Sequence, residues 1–278
     1  MRRAARPGAL RALRRVQRRE VLHRLRARTP LHRALRDERL HRGALRARRA
    51  RGCRRCAFRC ARVSAYAVMW SGGKDSALAL WRARQGGLDV RWLVTAYDGV
   101  TDRVRFHATP IASIARQAEA ARASLVSVPT AWESFDASLA AAFAGLAREG
   151  CTGIVFGDIH LADVRAWYEE RTRRAGLEHV EPIWGEPPAD LLAEFVAIGG
   201  RAMLTCVETA KLDPSWLGRT IDEGFVRDIA RTGVDPCGEN GEFHSFAYAG
   251  PFFTRPLRVR VGERRDDPRF AQLHIDAA

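Results

Sequence analysis

Lysine is almost absent from this chain of 278 residues: Lys74 and Lys211 stand against 45 arginines. GC-rich coding produces such a bias, and it makes each lysine conspicuous. Long apolar runs are absent too. No stretch reaches the roughly 18 apolar residues that a spanning helix needs, and no apolar signal-peptide core lies near the start, so no membrane association is expected. Cysteines are few. Cys151, Cys206 and Cys237, in the body of the chain, are scattered and odd in number, which argues against a disulfide framework. A reducing cytoplasm is the expected compartment.

Acidic residues are nearly missing from residues 1–62. That segment holds 23 arginines against Glu20, Asp37 and Glu38, a net of +20. The rest holds 24 basic and 29 acidic residues, a net of −5, so the overall charge of +15 belongs to the front segment. A nucleic-acid partner is therefore not expected for the body. Leu10, Leu13, Val21, Leu25, Leu35 and Leu45 are too sparse to build a core, so residues 1–62 read as disordered or as a lone basic helix. A basic tail and a transit-like peptide are alternatives. The composition break favours a start placed too far upstream, with Val63 as the candidate true start. Cys53, Cys56 and Cys60 begin like a zinc motif, but His41 is the only nearby fourth ligand, and chance spacing is the preferred explanation.

From residue 63 the pattern alternates between strands and helices. Strands are expected at 65–70, 90–97, 124–128 and 151–156. Helices are expected at 75–86, 110–122 (with Pro110 in its first turn), 132–148 and 160–175. This predicts an α/β fold, a parallel sheet with helices on both faces. Ligands should then bind at the carboxyl ends of the strands, at loops 71–76, 98–109 and 157–160. After Pro182 the rhythm loosens. A helix at 188–198, a strand at 201–207, a helix at 220–230 and one or two strands within 243–261 suggest a smaller C-terminal α+β lobe. The expected division is 1–62, an ATP-binding domain at 63–180 and a closing or substrate lobe at 181–278.

Ser71-Gly72-Gly73-Lys74-Asp75-Ser76 lies where the first strand becomes a helix. Glycines let a backbone wrap closely around an anion, and a helix N-terminus offers unpaired N–H groups to it. Ser71, Ser76 and Lys74 add hydroxyls and a cation. Asp75 is suited to capping the helix and to holding Mg²⁺ through water. The spacing is not that of a Walker A loop. It resembles the PP-loop of ATP pyrophosphatases, which cut ATP between its α and β phosphates. That resemblance implies an adenine nucleotide alpha hydrolase-like fold.

Further stretches narrow the resemblance. QAEA (117–120), GDIHLADVRAW (157–167), EPIWG (181–185) and DPCGENGEFHSFAYAGPFF (235–253) resemble the diphthine–ammonia ligase, or diphthamide synthase, family over about residues 64–255. In that family ATP activates the diphthine carboxylate of elongation factor 2 as an acyl-adenylate. Ammonia then forms the amide, and AMP and pyrophosphate are released. The resemblance implies ATP and Mg²⁺ as cofactors, with Ser71 to Ser76 on the phosphates and Asp158 facing the nucleotide. It also implies ammonium and a carboxylate substrate. That carboxylate would be carried by elongation factor 2 in an archaeon or eukaryote, and would be a different one in a bacterium.

Within the downstream motif, Glu239 and Glu242 are candidates to hold Mg²⁺, bind ammonium or deprotonate it, and His244 is a candidate for the deprotonation. Asp158 is a candidate nucleotide or metal contact, or a cap for the helix from 160. Asp98 and His107 are placed to reach adenine, ribose or substrate, although a structural histidine fits equally well. Trp184 reads as a packing anchor, Glu181 as an acceptor or a cap, and Cys237 as a buried spectator. Two other functions compete: a PP-loop enzyme that thiolates tRNA or ligates lysine to it, and a nucleotide-binding regulator without catalysis.

Overall fold

The structure, a computed structural model, describes residues 64–104, 107 and 109–278. The expectations for residues 1–62, the cysteine cluster among them, lie outside the described residues. Residues 64–278 form one unit. Its first strand, β1 (Ala65–Met69), is apolar throughout and nearly all buried. The glycine loop follows, and then α1 (Lys74–Gln85), rich in alanine and leucine, stops at Gly86 and Gly87. The chain continues through β2 (Asp89–Asp98), β3 (Arg103–Val104), α2 (Ile111–Ala120), β4 (Ser124–Thr130), α3 (Phe135–Arg148), β5 (Cys151–Val155), α4 (Ala162–Ala175) and β6 (Glu178–Val180).

Strands β4, β2, β1, β5 and β6 lie side by side in that order and all parallel. β1 and β4 occupy opposite edges of β2. The short β3 pairs antiparallel with Tyr97 and Asp98, on the edge that β1 has left free. The order moves outward from β1 through β2 to β4, then returns to β5 and β6. Right-handed crossovers therefore put α1 and α2 on one face and α3 and α4 on the other. The second face is a core of Ala67, Val94, Val128, Leu139, Phe143, Ile154 and Phe156, closed by Trp167 and Tyr168 of α4. The direction of winding reverses between β1 and β5. The loops after these two strands diverge there and leave a crevice.

The C-terminal part adds α5 (Pro188–Ala197), β7 (Arg201–Glu208), a 3₁₀ turn at Pro214–Trp216, α6 (Glu223–Ile229), β8 (Phe243–Ala249), β9 (Val259–Asp266) and β10 (Phe270–Ala277). Its sheet is antiparallel, ordered β8-β7-β10-β9. β8 packs on α1 and β10 on α2. Ser113 of α2 fastens the latter contact, donating to the Ile275 carbonyl at 3.4 Å and accepting from the Ala277 N–H at 3.1 Å. Arg82 of α1 is buried between Glu186 and Glu194, and donates to the Pro182 carbonyl at 2.9 Å.

The expected α/β class and most element positions hold. The differences have physical causes. Pro110 sits at the N-cap position of α2, with ψ 139°, and the helix begins one residue later. β3 and β6 are two and three residues long, too short for a periodic signal. β10 alternates buried Ala271, Leu273 and Ile275 with more exposed neighbours, a period-2 pattern beyond the expected 243–261. Among the described residues no helix is long and apolar enough to cross a membrane.

Candidate active site

Three strand-end loops and one loop of the second sheet enclose a cavity of about 410 Å³. β1 contributes Ser71, Gly73, Lys74, Asp75 and Ser76, and β5 contributes Gly157 and Asp158. His107 follows β3. Cys237, Gly238, Glu239, His244 and Ser245 enter from the other sheet. All three loops expected from strand polarity therefore reach one cavity. Its opposite wall is apolar, with Phe135, Phe156, Leu161, Val164 and Tyr168.

The loop itself is tightly held. Gly72 has φ +83°, a conformation that suits glycine, and a Cβ there would come within 2.6 Å of Ile114 Cδ1. Gly73, the N-cap of α1, donates through its N–H to Ser71 Oγ at 3.3 Å. Ser76 Oγ lies 3.4 Å from Ser71 Oγ and donates to the Gly73 carbonyl at 3.0 Å. The Lys74 N–H donates to Ser245 Oγ at 3.3 Å, so β8 braces the first turn of α1.

Lys74 is 3 % exposed. Its ammonium donates to Asp75 Oδ2 at 2.8 Å and to the Cys237 carbonyl, and lies 5.2 Å from the centre of the Phe243 ring. Burial disfavours that charge, but Asp75, Cys237 and Glu239 outweigh burial and hold the ammonium above its ordinary value. Asp75 pairs with Lys74 and makes no cap bond to α1, contrary to one expectation.

Glu239 faces Lys74 from the motif loop. Its Oε1 accepts from the Ile159 N–H at 2.9 Å. Burial, and then the charge of Asp75, push its carboxyl up to about 7. Asp158 is pushed up to about 6, by burial first and then by Glu181. The N-cap of α4 is Leu161, without a side-chain cap bond, so Asp158 does not cap that helix. His244 is driven down to about 4 by burial and by Lys74. Its ring lies 4.3 Å from that of His107, which is held well below its ordinary value by burial and then by His244. His107 Nδ1 is buried with no hydrogen-bond partner.

Of the candidate residues, Ser71, Gly73, Lys74, Asp75, Ser76, Asp158, Glu239 and His244 share the cavity, while Gly72 and Glu242 are not among its lining residues. Glu242 holds the motif loop together instead, accepting from the Asp235 N–H at 3.4 Å and Asn240 Nδ2 at 3.5 Å. Asp98 accepts from the N–H groups of Val100 and Thr101, shaping its own loop. Glu181 lies 3.0 Å from His179 Nε2 and 3.1 Å from Arg165 Nε, with neither carboxylate oxygen hydrogen-bonded, and Arg165 lies over the Trp184 ring at 4.6 Å. These residues support the β5 side of the cavity without lining it. Cys237 is buried, its thiol donating to the Pro188 carbonyl at 3.2 Å.

Sequence reasoning missed Ser245 and the apolar wall. Leu161, Val164 and Tyr168 recur at i, i+3 and i+7, one face of α4, and that spacing was an available signal. Ser245 carried none.

Models of two domains match the chain: the diphthamide synthase N-terminal domain over residues 64–179 and the diphthamide synthase C-terminal domain over residues 187–278. The chain belongs to the diphthamide synthase family. A human diphthine–ammonia ligase is 31 % identical over 120 residues, covering 42 % of this chain and 45 % of the relative. A rat diphthine–ammonia ligase is 29 % identical over the same lengths. A zebrafish (Danio rerio) one is 27 % identical over 138 residues, 45 % of this chain and 54 % of the relative. The chain thus spans about half the length of the curated relatives it matches. The cavity of this diphthamide synthase family member draws on both matched segments, Ser71 to Asp158 from the first and Cys237 to Ser245 from the second.

Proposed function

We propose that the chain is an ATP-dependent ligase that joins ammonia to a substrate carboxylate, in the manner named for its relatives. The convergence of the 71–76 loop and Glu239 on one cavity carries this reading. The glycine loop and the start of α1 fit a pyrophosphate group, with N–H donors, hydroxyls and a buried cation together. In the first step a carboxylate oxygen bonds to the α-phosphorus of ATP and the bond to the β-phosphate bridge breaks. Pyrophosphate leaves, held by the loop and Lys74, and an acyl-adenylate remains. In the second step ammonia attacks the acyl carbon, the bond to the AMP oxygen breaks so that AMP departs, and the nitrogen releases its extra proton to water to leave the neutral amide.

Ammonium must shed a proton before it can attack. Glu239 is the base in this reading, because it lines the cavity and its carboxyl lies near neutral pH. His244, near 4, is a poor proton acceptor at neutral pH and serves as a neutral hydrogen-bonding wall. Asp75 and Asp158 would hold Mg²⁺, which would offset phosphate charge. Among the described residues no three metal-ligating side chains are grouped, but Mg²⁺ takes one or two protein carboxylates together with phosphate oxygens and water. The carboxylate substrate is protein-borne, as on elongation factor 2, and the reaction takes place in the cytoplasm.

Thiolation of tRNA draws no support from the thiols. Cys151, Cys206 and Cys237 are free and buried, and burial raises all three, Cys206 to about 12. The experiment is an assay of the full chain with ATP, Mg²⁺, ammonium and candidate carboxylates. AMP and pyrophosphate should appear together with the amide. ADP and phosphate as products would rule out adenylation.

A further inference from the structure

The glycine loop does not hold its shape alone, and the side chain that shapes it comes from a different helix. Gln117 of α2 has no measurable exposure. Its Nε2 donates to the Gly72 carbonyl at 2.9 Å and to the Ala247 carbonyl at 2.7 Å. Its Oε1 accepts from Trp70 Nε1 at 2.8 Å. The amide orientation follows from these partners, since two carbonyl oxygens demand the nitrogen and an indole N–H demands the oxygen. Gly72's carbonyl also accepts from the Ala247 N–H at 2.8 Å. One carbonyl thus takes two donors, one from α2 and one from β8.

A trans peptide points its C=O and N–H in opposite directions. Pinning the Gly72 carbonyl into the buried Gln117–Ala247 cluster turns the Gly73 N–H the other way, towards Ser71 Oγ and the cavity. If the 72–73 peptide rotated by half a turn, it would present a carbonyl oxygen to a bound anion instead of a donor. Glycine at both positions gives little resistance to that rotation, so the restraint must come from outside the loop. Packing alone would not call for an amide, because a buried amide costs free energy unless its hydrogen bonds are met.

We infer that Gln117 is a positioning residue for the phosphate cradle: by holding the Gly72 carbonyl against β8, it keeps the Gly73 N–H facing the diphosphate part of the nucleotide. The inference rests on the phosphate-binding part of the proposed function and not on the identity of the carboxylate or of ammonia.

Binding of inorganic pyrophosphate to the full chain, by calorimetry, tests it. Gln117→Met keeps the volume and removes the amide. Gln117→Glu keeps the shape and faces two carbonyl oxygens with a carboxylate. Both should weaken pyrophosphate at least tenfold. Phe195→Leu, a core change in α5, lowers stability by another route and should leave pyrophosphate affinity within twofold of the parent. A folded Gln117→Met protein with parental affinity would overturn the inference. So would a loss in Phe195→Leu equal to that in Gln117→Met, since the effect would then be general destabilisation. If the Gln117 variants fail to fold, hydrogen exchange on the parent chain decides. Pyrophosphate should slow exchange of the Gly73 amide, and an unchanged rate, or no binding at all, would refute the role. Pyrophosphate binding that depends on Gln117 in a chain that makes no amide would keep this inference and remove the ligase reading.

Discussion

Glu239 accepts a hydrogen bond from the backbone N–H of Ile159 at 2.9 Å, and this bond joins the motif loop to the loop after β5. One carboxylate oxygen is thereby fixed while the side chain still lines the cavity. In Glu239→Gln the amide oxygen can accept the same bond, but the proton acceptor is gone. Amide formation should fall about 100- to 1,000-fold, while carboxylate-dependent exchange of pyrophosphate into ATP persists. Steady-state assays of both activities check this. An equal loss of exchange would place Glu239 in the first step.

Glu239 also makes stability depend on pH. Its folded value of about 7 lies above the ordinary 4.5 of the group, so the folded chain binds its proton more tightly than the unfolded chain does. Below about 4.5 both states are protonated and no penalty arises. As pH rises towards 7, the unfolded state ionises first and the folded state loses stability. Relative to Glu239→Gln, the parent chain should lose on the order of 2 kcal/mol between pH 4.5 and 7.5. His244 and His107 act in the opposite sense, losing stability as pH falls below about 6.5, and comparing the two chains cancels their contribution. Urea titrations at several pH values give the difference directly.

Glu242 should behave differently from its neighbour two residues away. It is 5 % exposed and is bonded within the motif loop. Glu242→Ala removes these bonds and leaves the Asp235 N–H without that acceptor. A loss of about 1–3 kcal/mol in stability is expected. Calorimetric unfolding measures it, and a fully stable variant with abolished turnover would return Glu242 to the chemistry.

Strand polarity made the position of the candidate site legible. The loops after β1 and β5 fall at the reversal of winding, and a short apolar run followed by a helical pattern marked each strand. The role of Gln117 was hidden because QAEA, as a string, does not say which carbonyl its amide meets. Glu239 and Glu242 looked equivalent for a related reason: a tight loop with Gly238 at φ +71° and Gly241 at φ +84° turns them to different sides. That outcome depends on dihedral angles that composition does not encode. The arginine-rich front segment dominated the net charge yet contributed nothing to the site expectations.

Lys74 provides a direct test of the cradle. Its ammonium is the buried cation closest to the loop, paired with Asp75 and the Cys237 carbonyl. Lys74→Met removes the charge and leaves both acceptors short of a donor. Turnover of ATP should drop by at least about 100-fold, with pyrophosphate affinity falling as well. Lys74→Arg should not restore the rate, since the larger planar guanidinium does not replace a compact ammonium in a closed site. Product assays across the three chains decide between a required cation and a merely structural one.

Gly72 should tolerate no side chain, for two independent reasons. Its φ of +83° strains any residue with a Cβ. The added carbon would also lie 2.6 Å from Ile114 Cδ1 and 2.7 Å from Gln117 Oε1. The isoleucine tip could shift, but the Gln117 oxygen is held by Trp70 Nε1 at 2.8 Å and yields only if that bond breaks. Gly72→Ala should therefore cost about 1–3 kcal/mol in stability and weaken pyrophosphate binding by more than Gly87→Ala does. Gly87 has a similar φ of +87°, but nothing lies within 4 Å of its added carbon, so it reports dihedral strain alone. Thermal unfolding and pyrophosphate titration of the two variants separate strain from collision. Equal behaviour of the pair would show that the loop at Gly72 relaxes freely around Gln117.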